Sequence, residues 1–202
     1  MTTQKRRPRA ERREQIAQAV LHIVATTGIA SLTTTTLARE IGVTSGALFR
    51  HFKSREEILH EAVRYATHQI DDTFPDEALP PPERIVTLAR NRLQVLRSEP
   101  GVAWLLRSEQ ATLALPEEAV ELLRSRVKRT KQYILAAIED GITDGSIRGD
   151  IAPEILLVPI MGTIHAVLGM PGIRGKTAAK ESTGPDAVLS ALVRMIAPED
   201  TT

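Results

Sequence analysis

Residues 32–57, LTTTTLAREIGVTSGALFRHFKSREE, decide the reading of this chain. They hold two short helices joined at a glycine, then the capped start of a third. Leu37, Ala38 and Ile41 give the first helix an apolar side. Gly42 falls where a helix-turn-helix needs a residue that accepts positive φ. Val43 then turns toward the core, and Thr44 stands where it can cap the next helix. That helix, residues 45–51, keeps Leu48 and Phe52 for the core. Its outer side is small or polar: Thr44, Ser45, Gly46, Ala47 and Arg50. Small residues let a helix backbone approach a groove wall, and an Arg pairs with guanine or holds a phosphate. Ser54-Arg55-Glu56-Glu57 has the spacing of a capping box and opens the third helix.

Working outward, residues 10–27 carry Ile16, Val20, Ile23 and Val24 at helical spacing, and Gly28 stops that helix. Residues 1–9 are polar and basic with Pro8. They read as a disordered arm, either following DNA or only solubilising the chain. The helix that starts after Ser54 bears Ile58, Leu59, Ala62, Val63, Ala66 and Ile70 on one side and ends before Pro75.

Downstream, Pro80-Pro81-Pro82 predicts an extended connector, with a helix from about residue 83 to 98. Pro100-Gly101 breaks it, and residues 102–113 make a short apolar helix with the only Trp, Trp104. Pro116 opens a long helix to about residue 143. Residues 153–168 form a helix apolar nearly all round, which has to be buried on several sides. Residues 170–186, rich in Gly, Pro, Lys and Ser, read as a mobile loop. A last helix, about 187–196, places Val188, Leu189, Leu192, Val193 and Ile196 on one face. No stretch alternates with period two, so the fold class is all-α. A three-helix helix-turn-helix domain precedes a larger helical domain.

Composition excludes several classes. Of 202 residues 42% are hydrophobic, enough for a sizeable core, and none is Cys. Thiolate metal sites, disulfides and Cys nucleophiles are therefore absent, which suits a reducing cytoplasm. No apolar run reaches the about 18 residues of a membrane span. Residues 1–60 hold ten Lys/Arg and five Asp/Glu, whereas the remainder is net acidic. A basic N-terminal third on an acidic body is the pattern of a DNA-binding head. There is no phosphate-binding Gly loop and no nucleophile elbow, so neither an enzyme nor a cofactor is expected. His60 and His68, eight apart on one helix, lack chelate spacing, so no metal is expected either.

The ordered run T-T-x-x-L-A-x-x-x-G-V-x-x-G-x-L-F-x-H-F-K-S-x-E-E, within about residues 12–63, resembles the DNA-binding domain of the TetR family of bacterial transcriptional regulators. The resemblance implies a basic arm over 1–9, a DNA-binding domain over 10–56 and a ligand-binding and dimerisation domain over 57–202. It implies DNA contacts at Thr34 and Thr35, at Thr44, Ser45, Gly46 and Ala47, and at Arg50. His51, Lys53 and Arg55 lie near the start of the following helix, where donors favour a phosphate. Two positions depart from the family's pattern. Phe49 stands where most relatives have a Tyr whose hydroxyl meets a phosphate, and Ser45 where many have Lys.

The resemblance further implies a cytoplasmic homodimeric regulator, most often a repressor, that leaves double-stranded operator DNA when a small, largely apolar effector binds. His68, Trp104, Tyr133, Met161 and His165 are candidates to line the effector site, each bulky or polar on an aliphatic segment. Ordinary core packing is the competing explanation for each. His165 is the sharpest, as an imidazole in a helix expected to be buried. Two rival functions are a DNA-binding adaptor or nucleoid protein without an inducer, and a helical small-molecule-binding protein that has lost DNA binding.

Overall fold

The computed structural model describes residues 9–168 and 184–199. Among these all regular structure is helical: α1 (Arg9–Thr27), α2 (Thr34–Glu40), α3 (Ser45–Leu48), α4 (Arg55–Asp71), α5 (Pro81–Ser98), α6 (Pro100–Arg107), α7 (Glu109–Ala114), α8 (Glu117–Asp144), α9 (Pro153–Val167) and α10 (Pro185–Ile196). A short 3-10 turn, Ile29–Ser31, links α1 to α2. The expected arm lies outside the described residues except for Arg9, which opens α1. The expected 170–186 loop also lies outside them, save for its last residues, where Pro185 and Asp186 begin α10.

The described chain packs as two compact units, one of residues 9–71 and 96–126, the other of 72–95, 127–168 and 184–199. In the first, Ile16, Val20, Leu21, Ile23 and Val24 of α1 are buried, as are Leu37, Leu48, Phe52, Ile58, Leu59 and Val63. α1 packs on α2, α4 and α6. In the second unit, Ile85, Leu88, Ile134, Ile138, Ile147, Ile160, Leu189 and Leu192 share one core. Packing alone sets no functional boundary at residue 56.

Four expectations give way. Pro81 and Pro82 begin α5 rather than preceding it, because first-turn residues need no amide hydrogen for the helix ladder. Pro100 likewise starts α6, and Gly101 is its second residue rather than a breaker. The apolar segment after it divides at Ser108 into α6 and α7. Finally, α9 is not buried all round within the chain. Leu156, Ile160 and Ile164 face the core, while Ile155 and Val158 are 63% and 70% exposed.

Candidate DNA-binding interface

Local bonding builds the turn that the interface needs. Gly42 has φ 70°. Its amide donates to the Arg39 carbonyl at 3.2 Å, and the Val43 amide donates to Ala38 at 2.9 Å. This pair of bonds is a Schellman ending, which satisfies the last carbonyls of α2 and turns the chain toward α3. Both helices have hydroxyl caps: Thr33 Oγ1 accepts from the Thr36 amide at 3.0 Å, and Thr44 Oγ1 from Ala47 at 3.3 Å. The regular part of α3 stops at Leu48, shorter than the expected 45–51, and residues 49–51 continue as a turn.

The side chains divide as the pattern requires. Leu48 and Phe52 are buried. Thr35, Thr44, Gly46, Arg50, Lys53 and Arg55 are exposed, and Thr34, Ser45, Ala47 and His51 are half-buried. Phe49 is 49% exposed, so its ring is not taken into the core. The Ser54 hydroxyl accepts from the Glu57 amide at 3.2 Å. In return Glu57 Oε2 accepts from Lys53 at 2.6 Å, one residue earlier than a reciprocal box with Ser54 would place it.

The electrostatics are those of a cationic surface. Burial, and then the charges of Arg12, Arg9, Arg13 and Arg50, hold His51 below its ordinary pKa. Its Nδ1 is buried without a hydrogen-bond partner, as a neutral ring permits.

One residue that holds this surface together, Arg13, is not among the candidates legible in the sequence. Arg13 of α1 donates to the His51 carbonyl at 2.9 Å, to Glu57 at 3.0 Å and to Glu61 at 2.8 Å. Its guanidinium lies 4.2 Å from the Phe52 ring centroid. The available signal was its register: Arg13 continues the apolar stripe of Ile16, Val20 and Val24, where a charge needs a buried partner.

The five effector candidates fall in different places. His68 and Trp104 belong to the first unit, the former exposed and the latter half-buried. Tyr133, Met161 and His165 belong to the second. The Tyr133 hydroxyl donates to the Pro75 carbonyl at 3.0 Å, and its ring meets Phe74 edge-on at 5.1 Å. Met161 packs at the margin of the core. His165 is exposed, so the expected buried imidazole is corrected: Leu156, Ile160 and Ile164 occupy the inward face of α9. Among the described residues no group of His, Asp and Glu is arranged to hold a metal, and no helix is long and apolar enough to cross a membrane.

A Schellman-turned helix pair, a small and polar outer helix face, and exposed Arg and Lys beside it define a helix-turn-helix DNA-binding regulator. Residues 16–62 match the family described as bacterial regulatory proteins, tetR family. The transcriptional repressor KstR2 of Mycolicibacterium smegmatis is 24% identical over 151 residues, 73% of this chain and 73% of the relative. The nucleoid occlusion factor SlmA of Marinobacter nauticus is 28% identical over 157 residues, 76% of each chain. The solved complex of AibR with isovaleryl coenzyme A and operator DNA superimposes with a TM-score of 0.71 at 17% identity, covering 92% of this chain and 97% of AibR. That likeness is one of fold. Residues 16–62 thus carry a DNA-binding domain of the tetR type.

Proposed function

We propose that the chain acts as a homodimeric repressor that leaves its operator when a small, largely apolar effector binds. The observation that carries the DNA half is the outer face of exposed Thr44, Gly46 and Arg50 with half-buried Ser45 and Ala47 between them, set beside exposed Lys53 and Arg55. The small residues admit the backbone of α3 to the major groove. Arg50 reads a base, and Thr34, Thr35, His51, Lys53 and Arg55 hold phosphates. Residues 10–56 act as the DNA-binding domain, and 57–202 as the effector and dimerisation domain.

The dimer half rests on α9. Ile155, Val158, Pro159, Gly162, His165 and Ala166 recur at helical spacing and are all exposed. Such an apolar strip calls for a partner. Burying it against a second copy under twofold symmetry forms a closed four-helix interface with α10. Two recognition helices held one turn of DNA apart, about 34 Å, then enter successive major grooves. An effector that prefers a wider spacing releases the DNA in proportion to its differential affinity.

His68, Trp104, Tyr133, Met161 and His165 remain the residues to test for effector contact. Because the similar AibR was solved with isovaleryl coenzyme A, acyl-coenzyme A thioesters are the first class to screen. The likeness to SlmA favours a second reading, a DNA-binding nucleoid protein without an inducer. A mobility-shift titration on the DNA upstream of this chain's own gene separates the two. Release by an acyl thioester supports the repressor; a shift that no effector of a broad apolar panel reverses supports the nucleoid protein. No shift at all sinks both.

A further inference from the structure

The recognition helix α3 has four residues, too few to hold an orientation by its own hydrogen bonds. Leu48 anchors it in the core, and its orientation about that anchor depends on what grips its ends. The N-terminal end is held by the turn at Gly42. Beyond Leu48 the chain runs through a turn into residues 52–54 before α4 begins at Arg55.

Arg13 is the grip at that second end. One guanidinium nitrogen donates both to the His51 carbonyl and to Glu57, and the other donates to Glu61. Glu57 and Glu61 lie one turn apart on the same face of α4. Glu57 also accepts from the Lys53 amide, so both sides of the connecting segment are tied to one ion-paired group. Arg64 closes the cluster against Glu61. The Arg13 side chain is 24% exposed and Glu61's only 5%.

A part-buried ion cluster adds little net stability compared with an apolar replacement, whereas it fixes geometry through directed hydrogen bonds. We propose that Arg13 is a positioning residue for DNA recognition, locking the end of the recognition helix to α4 so that the two meet DNA as one piece. The proposal rests on α3 being the DNA-reading helix. In it Arg13 touches no DNA.

The test uses the full chain and a duplex that the wild-type protein selects from a random pool. Arg13→Met leaves the buried Glu61 with Arg64 alone and is expected to lower the urea midpoint. Arg13→Met with Glu61→Leu removes both charges and is expected to restore the midpoint. Duplex affinity is expected to stay reduced about tenfold in both variants, as when the competent pose is held only a tenth of the time. The salt dependence of binding is expected to match wild type. Recovery of affinity together with stability in the double variant overturns the proposal in favour of a purely structural role. A salt slope smaller by about one in Arg13→Met overturns it in favour of direct phosphate contact. Arg13→Lys covers the case of a double variant that does not fold. It keeps the charge without the fork, and is expected to keep the midpoint yet lose affinity; wild-type affinity overturns the proposal. If wild-type protein selects no duplex, the DNA-reading assignment of α3 fails, and this proposal falls with it.

Discussion

A Cβ added to Gly101 on α6 would stand 2.4 Å from the carbonyl oxygen of Leu21 on α1. The obstacle is backbone, which no side-chain rotation can clear. α6 therefore lies directly on α1, and α1 also carries Arg13. Gly101→Ala is expected to force the helices apart and destabilise the chain by about 1–3 kcal/mol. Urea unfolding followed by circular dichroism measures this. An unchanged midpoint means that the helices separate without cost.

Arg50 and Arg55 are both exposed but have different expected roles. Arg50→Ala is expected to lose about 1–3 kcal/mol of operator affinity and to change base preference at one position. Arg55→Ala is expected to weaken all duplexes alike and reduce the salt slope. Titrations against a panel of single-base operator variants distinguish the two patterns. Unchanged affinity and preference for Arg50→Ala removes Arg50 from the interface.

Phe49 presents half of its surface to solvent. Phe49→Tyr then places a hydroxyl where a phosphate contact is expected. Affinity should rise by about 0.5–1.5 kcal/mol for every sequence. No gain in a fluorescence anisotropy titration would mean that position 49 does not face the backbone of the DNA.

The apolar strip of α9 gives a clean test of the dimer. Val158 is 70% exposed in the chain, whereas Leu192 is 2% exposed and belongs to the chain's own core. Leu192→Asp is thus expected to unfold the second unit, and Val158→Asp to leave each chain folded. In a dimer Val158→Asp buries an unpaired carboxylate at the seam. Sedimentation should give a folded monomer that no longer binds operator. A soluble Val158→Asp dimer with normal operator binding excludes this face as the seam.

His51 sets a pH dependence. Burial and the neighbouring Arg charges lower its pKa from the ordinary 6.5, so the folded state prefers the neutral ring. The unfolded chain takes up the proton more readily. The stability contributed by this imbalance is whole above pH 6.5 and is lost as pH falls through the lowered folded value. An NMR titration of the imbalanced imidazole should give a midpoint below 6.5 in the free protein. A bound phosphate favours the charged ring, so duplex addition should move that midpoint upward. A free-protein midpoint at or above the ordinary value contradicts the electrostatic description of this surface.

The sequence by itself determined the local events. Gly42, Thr33, Thr44 and Ser54 are read correctly because capping and positive-φ turns depend on residues within one turn of each other. Leu48 and Phe52 are read as core because helical spacing separates the two faces of a short helix. Most of the helices are legible for the same reason, apart from the division at Ser108, the early end of α3 and the prolines at 81, 82 and 100. Those are ambiguous in sequence, since proline both ends one helix and begins another.

Tertiary structure alone decided which stripe faces what. The inward face of α10 and the outward face of α9 are both apolar. Only packing shows that Leu189 and Leu192 are spent on the chain's own core while Ile155 and Val158 remain outside. It also decided the partners of Arg13, which lie 38 to 48 residues away. No periodicity encodes such a contact, because its geometry exists only once α1 and α4 lie side by side.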